Sequence, residues 1–367
     1  MSGAEVKSRI LAIDVMRGMN MFVLIFLAAF MHSLTKAVPC PFLSALDVQF
    51  THYRGFGLYA YDLVFPTFLF MAGCSWPFSL SSQLAKGATK RRIALRILKR
   101  LSLLIFVGLL ISGLPSFDFA KMRLNSILGQ IGAGWALMAL LTLLFPRRWW
   151  LAALGLFAAY WLSFVVYGVF FAPSGAGPWA MGKNIISAVD RWMFAAWPGK
   201  YEGYFHNFGC ACTAFVGYGA GLMLKRTDLT ARRRAALLAV GAAVLGVCGA
   251  VTWATGLCPL SKAQWNPSYI LVSGGIDLAV LAGLFWIVDV WRIRFWTTLF
   301  VVIGANALFP YVIRHFIDFG AAAHKLLCGI DTALPACWTP VLDRLGAFAI
   351  IWLLLFYMYR NRIFVRI

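Results

Sequence analysis

Acidic residues are scarce in this chain: Asp and Glu number 13 among 367 residues, against 33 Lys and Arg, and charged types make up only 13%. A soluble domain carries about 25% charged residues, so a water-facing globular surface is excluded. Long polar linkers, low-complexity segments and an evident internal repeat are missing too. The sequence has no Gly-x-Ser-x-Gly elbow, no P-loop, no Gly-x-Gly-x-x-Gly stretch and no metal motif, which leaves the usual soluble chemistries without support. Cys210 and Cys212 stand as a Cys-x-Cys with no partner pair and read as packing.

What is present is apolar. Hydrophobic residues make up 62% of the chain, in runs of roughly 18 residues or more, each long enough to cross a bilayer core. The reading is an all-α, polytopic integral membrane protein, one domain over residues 1–367, with about ten transmembrane helices. The windows fall at 14–34, 57–80, 99–114, 127–145, 149–172, 206–224, 235–256, 269–290, 296–316 and 341–359. The weakest is 99–114, which is short and entered from a basic stretch. No small-residue cleavage site follows the first window, so it reads as a retained span.

A net charge of +20 invites a nucleic-acid partner, and its distribution argues against one. In the ten-span arrangement 22 of the 33 Lys and Arg fall on one face, among them Arg17, Arg91, Arg92, Arg96, Arg147, Arg233 and Arg360. The positive-inside rule makes that face cytoplasmic and puts both termini there. These charges serve topology and contact with anionic membrane lipids, or they hold an anionic cytoplasmic ligand. Cys328 and Cys337 then lie outside and could pair as a disulfide in an oxidising compartment.

Ionisable groups inside a membrane are costly and mark function by default. Asp14 and Arg17, three apart on one helix face, read as a local ion pair or as the lining of a ligand's route. The stretch "FTHYRGFGLYAYDLVFPTF" (50–68) places His52 and Arg54 at the entrance of the second span and Asp62 about 7.5 Å inside it. Pro66 has no N–H for the Asp62 carbonyl and predicts a kink there. Asn306 and Pro310 repeat the spacing in the ninth span, and two such sites suggest a partly wet interior chamber. Histidine suits proton transfer near neutral pH, and none of the other four histidines has a stronger local case than His52.

Taken in order, these residues resemble the heparan-alpha-glucosaminide N-acetyltransferase family. Arg9, Asp14, Arg17 and Gly18 match its opening motif. His52 precedes the Asp62-Leu-Val-Phe-Pro66 motif by the family's ten residues. Arg123 and Gly132, then Glu202 and Gly203, then Lys262, Trp265, Ser268 and Tyr269, then Gly304, Asn306 and Tyr311, fit further family motifs along nearly all of the chain. The resemblance implies a transmembrane acyltransferase of a bacterial inner membrane. Such an enzyme takes acetyl from cytoplasmic acetyl-CoA, with no metal, to an amine or hydroxyl of a small-molecule sugar acceptor outside. It implies His52 as catalytic base or acyl carrier, with Asp62 orienting polar groups beside it. Acceptor contacts are expected from Arg54, Glu202, Lys262, Trp265, Tyr269, Asn306 and Tyr311, the last three also as oxyanion donors. Contacts to the CoA phosphates are expected from Arg17, Arg91, Arg92, Arg96 and Arg123.

The chain departs from the family at Ala28, where relatives carry an asparagine, and at Gly55-Phe56-Gly57, Gly129-Gln130 and Lys200-Tyr201. A solute transporter or an inactive homologue are the rival readings. A transporter should carry inverted repeats, whereas an acyltransferase needs a phosphate site continuous with His52. Acceptor identity and oligomeric state, a homodimer included, stay open.

Overall fold

The computed structural model describes residues 10–117, 123–193, 203–331 and 333–365. Its first main helices are α1 (Leu11–Ala37), α2 (Ala60–Ala85), α3 (Lys90–Gly113), α4 (Ile127–Leu144), α5 (Trp149–Phe170) and α6 (Tyr204–Lys225). Then come α7 (Ala231–Ala254), α8 (Pro267–Val290), α9 (Thr297–Ala305), α10 (Leu308–Ile313), α11 (Phe319–Asp331) and α12 (Ala336–Arg360). Eight of them, all but α3, α9, α10 and α11, are long and apolar enough to cross a membrane. No β-strand forms among the described residues.

Two of the expected spans are not among these eight. The 99–114 window is the end of α3, whose 24 residues include Lys90, Arg91, Arg92, Arg96, Lys99 and Arg100. The 296–316 window breaks at Asn306 into α9 and α10, of nine and six residues. The Asn306 amide turns to the C-terminal tail, donating from Nδ2 to the Ile363 carbonyl (2.9 Å) and accepting the Val365 N–H (2.9 Å). Pro66 does not kink a helix either. A 3₁₀ turn over Ala60–Leu63 leads into regular helix from Val64, so Pro66 sits in a first turn, where no N–H is required.

The helices sort by burial. In α1, α2, α4, α6 and α8, 50–67% of the apolar window is buried inside the protein, against 11–22% in α5, α7 and α12. The second group turns side chains such as Leu154, Val247 and Leu353 outward, and helices apolar on every face suit lipid surroundings. The first group packs closely through small residues. A Cβ on Gly217 of α6 would lie 1.9 Å from the Phe70 carbonyl oxygen of α2, and one on Gly18 of α1 would lie 1.8 Å from that of Phe300 in α9.

Two π-turns carry polar contacts. In α1 the widened turn Val23–Leu27 presents the Leu24 carbonyl to Arg314 Nη1 (2.9 Å). At the end of α8 the turn Trp286–Val290 carries Asp289, whose carboxylate accepts the N–H groups of Leu11 (3.2 Å) and Ala12 (2.9 Å). A negative side chain thus caps the positive end of α1, which accounts for a charge at the end of a span. All eight cysteines are free thiols, Cys328 and Cys337 both exposed.

Candidate active site

Asp62 organises the site. Its side chain is 1% exposed, and such a carboxylate must be hydrogen-bonded. One oxygen, Oδ2, accepts the backbone N–H groups of Tyr53 and Tyr59, both at 3.1 Å. The other, Oδ1, lies 2.8 Å from His52 Nδ1 and 3.3 Å from Lys262 Nζ. The Asp62 backbone carbonyl, left free by Pro66, accepts the Tyr269 hydroxyl at 2.7 Å. A 3₁₀ turn, the loop before it and α8 therefore converge on one residue.

An ionised carboxylate only accepts hydrogen bonds, so the contact to Asp62 puts the proton of a neutral His52 on Nδ1 and leaves the lone pair on Nε2. Lys262 Nζ also lies 3.1 Å from His52 Nδ1. That contact is a hydrogen bond only in the opposite tautomer, and the shorter Asp62 contact decides for Nδ1–H. Lys262 lies in the loop before α8, where burial pushes its ammonium below the ordinary lysine range while the Asp62 charge opposes the shift. The His52 ring, 59% exposed, rests against Tyr61 with centroids 5.0 Å apart.

His52, Asp62 and Lys262 open into a cavity of about 1320 Å³, larger than the roughly 300–1,000 Å³ of a typical small-ligand site. The same cavity is lined by Asp14, Arg17 and Ser75. Arg17 donates from Nη2 to Ser75 Oγ (2.9 Å) and stands 3.5 Å from Asp14, so the ion pair and the lining role coexist. Asp62 and Ser75 are thirteen residues apart along α2, so the two ends are separated by about 20 Å of helix rise.

Trp265 forms a wall near His52. Its φ of 48° is left-handed, uncommon for a bulky residue. The indole is fixed by an Nε1–H bond to Thr213 (3.1 Å), by Phe65 and Tyr269, and by the stacked ring of His206 (5.5 Å, 16°). His206 Nε2 meets Gln130 Oε1 at 3.1 Å, and both residues line the cavity. Tyr311, Arg314 and His315 complete this end.

Of the residues expected from sequence, the cavity gathers His52, Asp62, Lys262, Trp265, Tyr311 and Arg17. Tyr269 lies behind Asp62 with its hydroxyl already engaged, and Asn306 is engaged with the tail. Neither offers a donor to an oxyanion near His52. Arg54 is exposed outside the cavity, as are Arg91, Arg92 and Arg96, the last bonded to Gln83 (2.8 Å). Arg123 is exposed and donates its backbone N–H to Ser112. Glu202 lies outside the described residues. Ala28 is buried and Phe56 exposed, and neither lines the cavity. The sequence reading gave no site role to Arg100, Gln130, His206, Arg314 or Ser75, all on the cavity wall. It also missed Asp277, a buried residue of α8 whose Oδ1 pairs with Thr67 at 2.6 Å.

Fold and site together define a polytopic helical membrane protein whose central helices line a large cavity, with an Asp–His–Lys cluster toward one end and Arg17 toward the other. No protein-family model matches the chain. It is similar to the heparan-alpha-glucosaminide N-acetyltransferase of Homo sapiens, 26% identical over 321 aligned residues that cover 72% of this chain and 48% of that protein. The Mus musculus protein of the same name is 25% identical over 323 residues, with the same two coverages. The chain spans about half the length of these curated relatives. It is thus a distant relative of these acetyltransferases, in agreement with the motifs around His52 and Lys262.

Proposed function

We propose that this protein is a transmembrane acetyltransferase that takes acetyl from cytoplasmic acetyl-CoA and delivers it to an amine or hydroxyl of a sugar on the far side of the membrane. The observation that carries this reading is the single cavity reaching from Arg17 to His52. A pantetheine arm has about twelve bonds between its phosphoester oxygen and its sulfur, the equivalent of four extended residues or roughly 14 Å. Add a contact of about 3 Å at each end, and the reach matches the roughly 20 Å of α2 between Ser75 and Asp62. In the ten-span arrangement the positive-inside rule favours the Arg17 end in the cytoplasm and the His52 end outside, with the basic face against anionic lipid. The setting that fits is a bacterial inner membrane.

In this mechanism His52 Nε2 accepts the proton of the acceptor N–H or O–H as that atom attacks the thioester carbonyl. The C–S bond breaks, and the CoA sulfur leaves with the proton returned from Nε2. Asp62 holds the productive tautomer and stabilises the imidazolium that forms. Lys262 balances the Asp62 charge and is a donor within reach of the developing oxyanion. The aromatic surfaces of Trp265, Tyr61 and Tyr311 suit the apolar face of a sugar ring. A positioned base contributes about 10²–10⁴-fold. The test is acetyl-CoA binding and turnover by purified protein with a panel of hexosamines, wild type beside His52→Ala. Product from wild type, lost in His52→Ala while CoA binding persists, supports the assignment. Absence of CoA binding in wild type refutes it and turns attention to solute transport.

A further inference from the structure

Arg100 is the cavity residue whose surroundings are incomplete. It lines the chamber together with Arg17, at the end far from His52. Its guanidinium lies face-on to the Trp135 ring, 4.3 Å from the centroid. Trp135 is braced edge-on by Trp76 (5.4 Å, 88°), whose own N–H is tied to Thr142 at 3.0 Å. Arg100 forms no ion pair among the described residues, and its Nε–H is buried without an acceptor, as is the Trp135 indole N–H beside it. Arg17, on α1, is held by Ser75 and stands 3.5 Å from Asp14. Both guanidinium groups line the same cavity, and only that of Arg17 has a carboxylate partner. Burying an unpaired cation is costly, and a guanidinium fixed by an aromatic platform is preorganised for planar, bidentate recognition of phosphate.

We infer that Arg17 and Arg100 form a phosphate clamp for the diphosphate-class anion of a soluble ligand, with Trp135 as the platform that aims Arg100. The inference deepens the acetyltransferase reading by naming what holds the donor's phosphates. It replaces the exposed Arg91, Arg92, Arg96 and Arg123 in that role. A dianion between the two guanidinium groups would balance their two positive charges. Thioester chemistry at His52 is not needed for the clamp to bind.

The test uses inorganic pyrophosphate and ADP as probes, because both lack the acyl group and the pantetheine arm. Binding is measured calorimetrically on the full chain, in phosphatidylcholine discs and in phosphatidylglycerol discs. Wild type is expected to bind both probes in phosphatidylcholine. Arg100→Gln and Arg17→Gln each weaken binding about tenfold to hundredfold, the effect of losing a charge-assisted hydrogen-bonded contact. Arg100→Lys, which keeps the charge without the fork, falls between, and the exposed Arg147→Gln matches wild type. A monodisperse Arg100→Gln and Arg17→Gln that bind pyrophosphate as wild type does would overturn the clamp, whatever the turnover. Pyrophosphate binding in a protein that moves no acetyl would uphold the clamp and remove only the transferase reading. If pyrophosphate does not bind in phosphatidylcholine, and phosphatidylglycerol stabilises wild type but not Arg100→Gln, the occupant is a lipid headgroup and the soluble-ligand assignment falls.

Discussion

Replacing Asp62 with asparagine tests the tautomer argument with almost no change of shape. Two backbone N–H groups, from Tyr53 and Tyr59, point at Oδ2 from 3.1 Å. An asparagine must therefore keep its carbonyl oxygen on that side and turn its NH₂ toward His52 Nδ1, now 2.8 Å away. The imidazole then accepts at Nδ1 and carries its proton on Nε2, so the nitrogen facing the chamber is no longer a base. Loss of a positioned base lowers kcat by about 10²–10⁴-fold, which is roughly 2.7–5.4 kcal/mol of transition-state stabilisation. Binding of acetyl-CoA, whose phosphates are held some 20 Å away along α2, should stay within a few-fold of wild type. The assay is single-turnover transfer of radiolabelled acetyl, together with nitrogen-15 spectra of the histidine ring. Turnover within fivefold of wild type in Asp62→Asn, with Nε2 still unprotonated, would refute the reasoning.

Three further outcomes follow from the same contacts. Tyr269→Phe leaves the Asp62 carbonyl buried without a donor and should cost about 1–3 kcal/mol, read as a lower thermal midpoint with kcat falling as Asp62 loosens. Gly217→Ala forces a methyl against the Phe70 carbonyl and should destabilise by about 1–3 kcal/mol or more, whereas Gly155→Ala, where nothing lies within 4 Å, should be neutral in the same melt. Burial lowers the Lys262 pKa, so in the alkaline range just below the ordinary lysine value the folded state binds fewer protons than the unfolded chain. Wild-type stability should therefore rise with pH there relative to Lys262→Met, and parallel curves would show that Lys262 carries no such shift.

The sequence already spoke for the polytopic helical class, because apolar runs of span length need no tertiary information. Asp62, an ionisable group inside a span, marked a polar position by its cost, and the ten-residue spacing from His52 carried weight only through the family resemblance. Tertiary choices were not legible. Pro66 lies four residues from Asp62 whether it kinks a helix or starts one, and only the 3₁₀ turn before Val64 decides. Asn306 has the residue type of a catalytic donor, but a tail some sixty residues later claims it. Arg100 was one of many basic residues near a helix start. Its difference from Arg96 is the face of α3 it occupies, over Trp135 rather than toward solvent. His206, one of the four histidines without a local case in sequence, stacks on Trp265 and lies on the cavity wall.

The claim at the centre of this account is that one chamber joins a cytoplasmic donor to an acceptor outside. The most direct measurement uses sealed, uniformly oriented vesicles with labelled acetyl-CoA supplied on the cytoplasmic face and hexosamine confined to the other. The account predicts labelled acetyl-sugar in the acceptor compartment, abolished by His52→Ala and by Asp62→Asn, with CoA released on the donor side. Acetylation only when donor and acceptor share a compartment, or transfer that persists without His52, would contradict it.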